Sequence, residues 1–294
     1  MLDLIIRCIL YPLKFILFLA AHIILLFPKR FYVAYSKYCL AIILWTLGFS
    51  IPEIIDKRSM QDEDKSAPII VFQHTTFADG YILLYIFGLL RFVVNKKHVS
   101  NPIVKGFTDK YGCIPVDLHS RTGVTEKIQE YVQNNDYTQP LTISPEGGTP
   151  IVLNSNDILA PFSSGAFVPL VPVQPVLINF TCPDDSEFTN PTWNTERVQK
   201  DDNVIKWFFA RFFARPCKVH ITIMEKANAK EGMAPKEYAN DVRNKMIAEI
   251  TGTTVAVPLK NEPKTILESI SESITDIKDT VESDINQLHY RRND

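Results

Sequence analysis

The sequence predicts an α/β domain, preceded by an apolar helix pair and followed by an amphipathic helix. Three observations carry this prediction. Short apolar runs of strand length alternate with helix-length stretches over about 65–255; residues 1–51 are overwhelmingly apolar and aromatic; and aliphatic residues recur at spacings of four and three through an otherwise polar tail. The boundaries that follow are 1–51 for a membrane-anchoring helix pair, 52–67 for a linker, 68–258 for the α/β domain and 259–294 for the tail. A chain of 294 residues holds one such domain with appendages.

Leu4–Phe27 and Phe31–Ile51 are the two apolar segments. They are divided by Pro28-Lys29-Arg30, where proline breaks a helix and two cations require water or headgroups. The uninterrupted stretch Phe15–Phe27 reaches only about 20 Å, short of the ~30 Å hydrocarbon core, and Lys14 and Lys37 interrupt any longer run. The expectation is an interfacial helix pair, favoured over two clean spans. A cleavable signal peptide is disfavoured because no small-x-small site follows the apolar run. Apolar residues on nearly every face argue against two ordinary core helices, which need only one apolar stripe.

Glu53–Ala67 is rich in charge and reads as a polar linker. Pro68–Phe72 is then a continuous apolar run of the kind seen in strands buried on both faces. Cys113–Val116, Leu141–Ile143, Val171–Ile178 and Val219–Ile223 read as further strands, and Val124–Asn134 and Tyr238–Ile250 as helices. In the tail, Ile266, Ile270, Ile274, Ile277, Val281, Ile285 and Leu288 form one seam of a helix. That seam, over 265–288, is open to a protein partner, to self-association, to packing back on the domain, or to lipid. Its many acidic residues disfavour an anionic membrane surface.

Charge and cysteine usage exclude several classes. Lys plus Arg number 31 and Asp plus Glu 33, and the net charge of -2 offers none of the basicity that a nucleic-acid binder uses on phosphates. The 5 cysteines are odd in number and contain no CxxC pair, so neither a zinc site nor a disulfide framework is expected, and a reducing, cytosol-facing setting fits. No metal and no bound cofactor are implied.

The first motif with chemical content is Gln73-His74-Thr75-Thr76-Phe77-Ala78-Asp79-Gly80. A histidine accepts a hydroxyl proton near neutral pH, and a neighbouring carboxylate fixes its tautomer and stabilises the imidazolium. Spacing alone is weak, because His289 and Asp294 repeat it in the polar terminus. Context favours His74: it ends a buried strand, where open α/β sheets gather catalytic groups, with Thr75 and Thr76 available to cap the following helix. The second motif is Ser144-Pro145-Glu146-Gly147-Gly148-Thr149-Pro150, whose glycines permit close backbone approach to an anion and whose glutamate can orient a nearby group. Cys113, set in a strand, reads as a packed thiol and not a nucleophile. The cluster Trp207-Phe208-Phe209 with Arg211, Phe212, Phe213 and Arg215 reads either as a membrane-surface helix or as a core-facing helix with solvated arginines.

Together the motifs resemble those of the glycerolipid acyltransferase superfamily, the PlsC-like family. His74 to Asp79 resembles its H-x4-D box, and Pro145-Glu146-Gly147 with Thr149 its PEGT box. Phe162–Leu177 is similar to a segment of lysophosphatidylcholine acyltransferases, and Tyr238–Met246 to the helix closing their catalytic domain. The resemblance implies a mixed sheet flanked by helices, with the N-terminal pair lying in one leaflet. It also implies acyl transfer from acyl-CoA, as co-substrate, to the hydroxyl of a lysophospholipid. His74 is then the general base, Asp79 its orienting partner, and Glu146, Gly147, Gly148 and Thr149 bind the acceptor. The implied location is the cytosolic face of the endoplasmic reticulum membrane, with lipid droplets as an alternative. Two departures stand out. The second box, Gly112–Leu118, ends in leucine where the family has a phosphate-binding arginine, with Arg121 as the nearby substitute; and Gly148 is an additional residue that displaces Thr149. The alternative function is a catalytically silent lipid-droplet or endoplasmic reticulum scaffold resembling ancient ubiquitous protein, although the tail shows no compact module of the kind that branch carries.

Overall fold

The computed structural model describes residues 2–25, 32–59, 67–76, 78–100, 102–117, 123–134, 139–146, 159–181, 208, 211–213 and 216–252. All of them fall within one compact unit, Met1–Thr254. The helix expected over 265–288 lies outside the described residues, as do His289 and Asp294.

The strands are β1 (Glu53–Asp56), β2 (Ile69–Phe72), β3 (Arg91–Asn95), β4 (Ile114–Val116), β5 (Leu141–Ile143), β6 (Val173–Thr181) and β7 (Lys218–Ile223). They form one sheet in the order β1-β7-β6-β2-β5-β3-β4. Every neighbouring pair is parallel except β6 with β7, so the sheet is mixed, as expected. The helices are α1 (Leu2–Leu25), α2 (Tyr32–Thr46), α3 (Asp79–Phe87), α4 (Lys96–Val99), α5 (Pro102–Tyr111), α6 (Val124–Asn134) and α7 (Pro235–Gly252).

β2 shows why a continuous apolar run is required at the centre. Ile70 and Phe72 enter a core shared with α2 and α3, while Ile69 and Val71 enter the opposite core with Ile128 and Val132 of α6 and Tyr238, Val242 and Met246 of α7. Strand side chains alternate between faces, so a strand covered on both sides favours apolar residues at successive positions.

Two strands escaped the sequence reading. β1 lies inside the segment read as a linker; it pairs with β7 at the sheet edge, where Ile54 remains exposed and Glu53 and Asp56 supply the charge that made it look like loop. β3 begins at Arg91 and ends at Asn95 and is only partly buried, so its apolar centre, Phe92-Val93-Val94, is too short to stand out.

The helix pair is built into the same unit. Leu40, Ile43, Leu44 and Leu47 of α2 and the turn after it are buried with Ile70, Phe72 and Ile221 of the sheet, so α2 is a core helix, against the sequence argument. α1 does differ from an ordinary core helix: beside the buried Ala21 and Leu25 it exposes Leu13, Phe15, Ile16, Leu19 and Ile23, with Ile16 62 % and Ile23 59 % exposed. Apolar residues on several faces thus have two destinations, the domain on one side and an open surface on the other. Among the described residues no helix is long and apolar enough to cross a membrane. The cysteine reading needs one correction: Cys217 is disulfide-bonded, while Cys39 and Cys113 are free, so the cysteine count carries no argument for a reducing compartment.

Because α2 shares the core of the sheet, truncating its fully buried Ile43 should cost the whole domain about 2–5 kcal/mol. Urea denaturation of Ile43→Ala, followed by fluorescence and circular dichroism, checks this; an unchanged midpoint would show the helix pair to be energetically separate.

Candidate active site

The turn leaving β2 is organised by one carboxylate. Asp79, in the first turn of α3, is 1 % exposed, and its Oδ2 accepts from the Thr75 N–H at 2.6 Å, the Thr76 N–H at 3.0 Å and His74 Nδ1 at 2.8 Å. Its Oδ1 accepts from the Thr75 hydroxyl at 2.8 Å. Sequence reasoning had the threonines capping the helix. The structure reverses the roles: no side chain caps α3 at Ala78, and Asp79 reaches back to gather the free N–H groups of the turn. A buried carboxylate demands this many donors, and its place in the first turn also suits the positive end of the helix dipole.

His74 is 26 % exposed at its side chain and packs its ring 5.8 Å from that of Phe72. Its Nδ1 is committed to Asp79. Because the carboxylate accepts, the Nδ1 proton is committed to Asp79 and the lone pair of the neutral imidazole lies on Nε2.

Glu146 meets this turn through strand register. β2 and β5 pair in parallel with Ile69 opposite Leu141 and Val71 opposite Ile143. Carried three residues past Val71 and Ile143, the same offset of 72 places Glu146 opposite His74, whose N–H donates to Glu146 Oε1 at 3.2 Å. Glu146 Oε2 accepts from the Ala160 N–H, also at 3.2 Å. Arg243 of α7 in turn donates through Nε to the Ala160 carbonyl at 3.0 Å, and Lys236 donates to the Phe162 carbonyl at 2.8 Å. Glu146 therefore straps the histidine backbone to the loop at Leu159–Phe162, and α7 holds that loop from behind. Burial pushes Glu146 up to about 7, against the hydrogen bonds from Ala160 and His74 that favour its charged form. Arg243 and Lys236 were invisible as site residues in the sequence; Arg243 fell within Tyr238–Met246, the stretch resembling the family's closing helix, and Lys236 just before it.

The structure brings together His74, Asp79 and Glu146. Gly147, Gly148, Thr149 and Arg121 lie outside the described residues. Beyond Gly112, which adopts a left-handed φ of 63° and whose missing Cβ would come within 3.2 Å of Arg91 Nε, the second box runs into β4. A hollow of about 170 Å³ opens at the C-terminal end of that strand, lined by Lys96, Pro115, Val116, Asp117, Gly123, Val124 and Lys127. Lys96 follows directly on β3, and Lys127 Nζ donates to the Pro115 carbonyl at 3.3 Å. Since β2, β5, β3 and β4 are parallel, the hollow and His74 lie along the same edge of the sheet. These two lysines are cations that the sequence reading passed over. Among the described residues no group of His, Cys, Asp and Glu is placed to hold a metal ion.

Comparison with known proteins adds one family match, two relatives and one solved structure. Residues 52–179 match the sequence profile of a family described as Acyltransferase. Lysophospholipid acyltransferase LPCAT4 of Mus musculus is 27% identical over 212 residues, which cover 70% of this chain and 37% of that protein. Lysophosphatidylcholine acyltransferase 2B of Rattus norvegicus is 30% identical over 161 residues, covering 53% of this chain and 29% of that protein. The chain thus spans 37% and 29% of the length of these two curated relatives. Among solved structures, the 1-acyl-sn-glycerophosphate acyltransferase PlsC from Thermotoga maritima aligns with a TM-score of 0.48 and 15% identity, over 85% of this chain and 100% of that one.

The raised Glu146 makes a signed prediction about stability. With a value of about 7 in the folded protein against an ordinary 4.5, the folded state binds the extra proton between those two pH values, so stability falls as pH rises through that window and then levels off. A glutamine in its place does not titrate. The Tm of Glu146→Gln relative to wild type should therefore rise by about 3–8 °C across the window. Paired thermal melts over that range check it, and a constant gap would show that Glu146 does not carry the raised value.

Proposed function

We propose that the chain, whose residues 52–179 match an acyltransferase profile, is a member of the glycerolipid acyltransferase superfamily and moves a fatty acyl group from acyl-CoA to the free hydroxyl of a lysophospholipid. One observation carries the reading: His74 Nδ1 is held by the buried Asp79 at 2.8 Å, which leaves Nε2 as a base at the C-terminal end of the central parallel strand. A thioester already has a good leaving group, so the demanding step is making the acceptor hydroxyl nucleophilic. In this reading Nε2 takes the hydroxyl proton, the oxygen attacks the thioester carbonyl, and the carbon–sulfur bond breaks with the proton passing to the departing thiolate. Asp79 stabilises the imidazolium formed on the way, without itself accepting the proton.

Glu146 keeps the His74 backbone in register, and the glycines and threonine that follow it are assigned to the acceptor headgroup. Lys96 and Lys127 supply, near the second box, positive charge for the acceptor phosphate that Leu118 withholds. The exposed stripe of α1, with Trp45 and Phe213, is assigned to one leaflet of a membrane, in keeping with the finding that no helix among the described residues is long and apolar enough to cross it. A surface that offers both acyl-CoA and lysophospholipid is the cytosolic face of the endoplasmic reticulum or of a lipid droplet, and the chain is placed there.

Purified protein supplied with radiolabelled acyl-CoA and a panel of lysophospholipids should form labelled phospholipid. His74→Ala should lower kcat/KM by about 10²–10⁴-fold, and Asp79→Asn, which keeps the shape of the side chain but not its charge, should do so by a comparable factor with an unchanged circular dichroism spectrum. Equal product from wild type and His74→Ala, or none from either over the whole panel, would sink the enzymatic reading.

A further inference from the structure

Two cations, near enough for the charge of one to act on the other, are buried where the helix pair meets the rest of the domain, and neither is bonded to the dyad. Arg211 is 0 % exposed and Lys14 8 %. The Arg211 guanidinium lies 4.5 Å above the Phe49 ring, and its Nη2 donates to the Gly48 carbonyl at 2.9 Å and to Cys217 Sγ at 3.4 Å. Its Nε and Nη1 are buried with no hydrogen-bond partner among the described residues. Lys14 Nζ donates to the Phe212 carbonyl at 3.3 Å and faces the rings of Trp45 and Phe212 at 5.5 and 5.3 Å. Among the described residues no carboxylate forms an ion pair with either group.

This is an unusual way to bury charge. Burial lowers Lys14, and the positive Arg211 lowers it further; burial also brings Arg211 down to about 10. Aromatic faces offset part of the cost. They do not satisfy the two N–H directions of Arg211, and a buried charge left with unsatisfied donors is costly unless an anion completes it. The sequence reading leaves Arg211 either on a membrane-surface helix or solvated on a core-facing one; the structure places it inside, with two of its nitrogens unpaired among the described residues.

The surroundings indicate where the counter-charge comes from. Leu13, Phe15 and Ile16, next to Lys14 along α1, are exposed, and so is Phe213, whose ring meets Tyr11 edge-on at 4.7 Å. An anion reaching the two cations therefore crosses a rim of exposed hydrocarbon, which suits a lipid headgroup better than a free ion. Its charge is set by the pair: a phosphomonoester carries about -1.5 to -2 at neutral pH and has three acceptor oxygens, enough for Nε, Nη1 and Nζ, whereas a phosphodiester carries a single charge.

We propose that Lys14 and Arg211 receive the phosphomonoester of an anionic membrane lipid, whose acyl chains lie along the exposed stripe of α1. The site rests on the membrane-facing reading of that helix. Admission of the headgroup requires the Phe212 ring, which covers Lys14, to swing aside. Among the described residues no hydrogen bond links the two cations to His74, Asp79 or Glu146, so the site is assigned to the membrane on which the enzyme sits and not to the molecule that it acylates.

Flotation of the full chain with vesicles tests this. The vesicles would be phosphatidylcholine alone, phosphatidylcholine with phosphatidic acid, and phosphatidylcholine with enough phosphatidylglycerol to match the surface charge of the second set. Binding should be about tenfold tighter to the phosphatidic acid vesicles than to the charge-matched ones, the scale of one or two charge-assisted hydrogen bonds. Lys14→Met and Arg211→Met should each abolish that preference and retain binding to phosphatidylcholine, while Lys105→Met, at an exposed ion pair with Asp109, should leave the preference intact. Should Arg211→Met fail to fold, Lys14→Met and the wild-type comparison between the two charged sets still decide the question. Equal binding to the two charged sets, or a preference that survives in Lys14→Met, would overturn the site. Inorganic phosphate that raises the Tm of wild type without any vesicle preference would assign the cations to a soluble phosphate and overturn the lipid. Failure to bind any vesicle would remove the membrane reading of α1 and this proposal with it, while leaving the His74 chemistry to its own assay.

Discussion

Burial of the Asp79 carboxylate is the constraint from which the site is built. A carboxylate that is 1 % exposed needs donors on both oxygens, and the nearest are the N–H groups and hydroxyl of the turn just before it. Satisfying them closes Thr75 and Thr76 around Asp79 and starts α3 where it starts. It also leaves His74 as the residue that both ends the strand and reaches the carboxylate. The orientation of the histidine is thus a by-product of solving a solvation problem, and its tautomer follows from the same hydrogen bond. An arrangement held by so many donors is also stiff, which is what the proposed base requires if its free nitrogen is to meet a substrate at a fixed angle.

The sheet supplies the second level. Parallel pairing of β2 with β5 sets two turns side by side at the same edge, and the register places Glu146 opposite His74. One glutamate then joins three parts of the fold: the histidine backbone, the loop at Ala160, and, through Arg243, the closing helix α7. Its elevated proton affinity is the consequence of being placed indoors for that purpose, with only backbone donors to support its charge.

The helix pair has two allegiances. Through α2 it shares the hydrophobic core of the domain, and through α1 it offers an uncovered apolar stripe. His22 joins the two worlds: its Nε2 lies 2.9 Å from the hydroxyl of Tyr81, two residues past Asp79 on α3. The helix proposed to face lipid is therefore in direct contact with the helix that carries the buried aspartate. On the same pair, burial of Lys14 beside Arg211 shows that a charge on an apolar helix need not snorkel to water; it can be folded inward and held against aromatic faces.

The sequence by itself determined what is local. His74 and Asp79 are five residues apart, so a single turn joins them whatever the rest of the chain does, and the four apolar residues of β2 announce a strand buried on both faces. The alternation of strand-length and helix-length segments likewise determined the α/β class. Tertiary structure decided everything that depends on distant elements meeting. β1 and β3 became strands because neighbours presented paired edges, not because their residues are strongly apolar. Glu146 acquired a task only through a partner 72 residues away, and Arg211 and Lys14 became buried neighbours only once α1 had packed against a segment almost 200 residues further on. The physical reason is reach: covalent geometry fixes which side chains meet within a turn, whereas burial, and with it the cost of a charge, is set by whatever the completed fold lays on top.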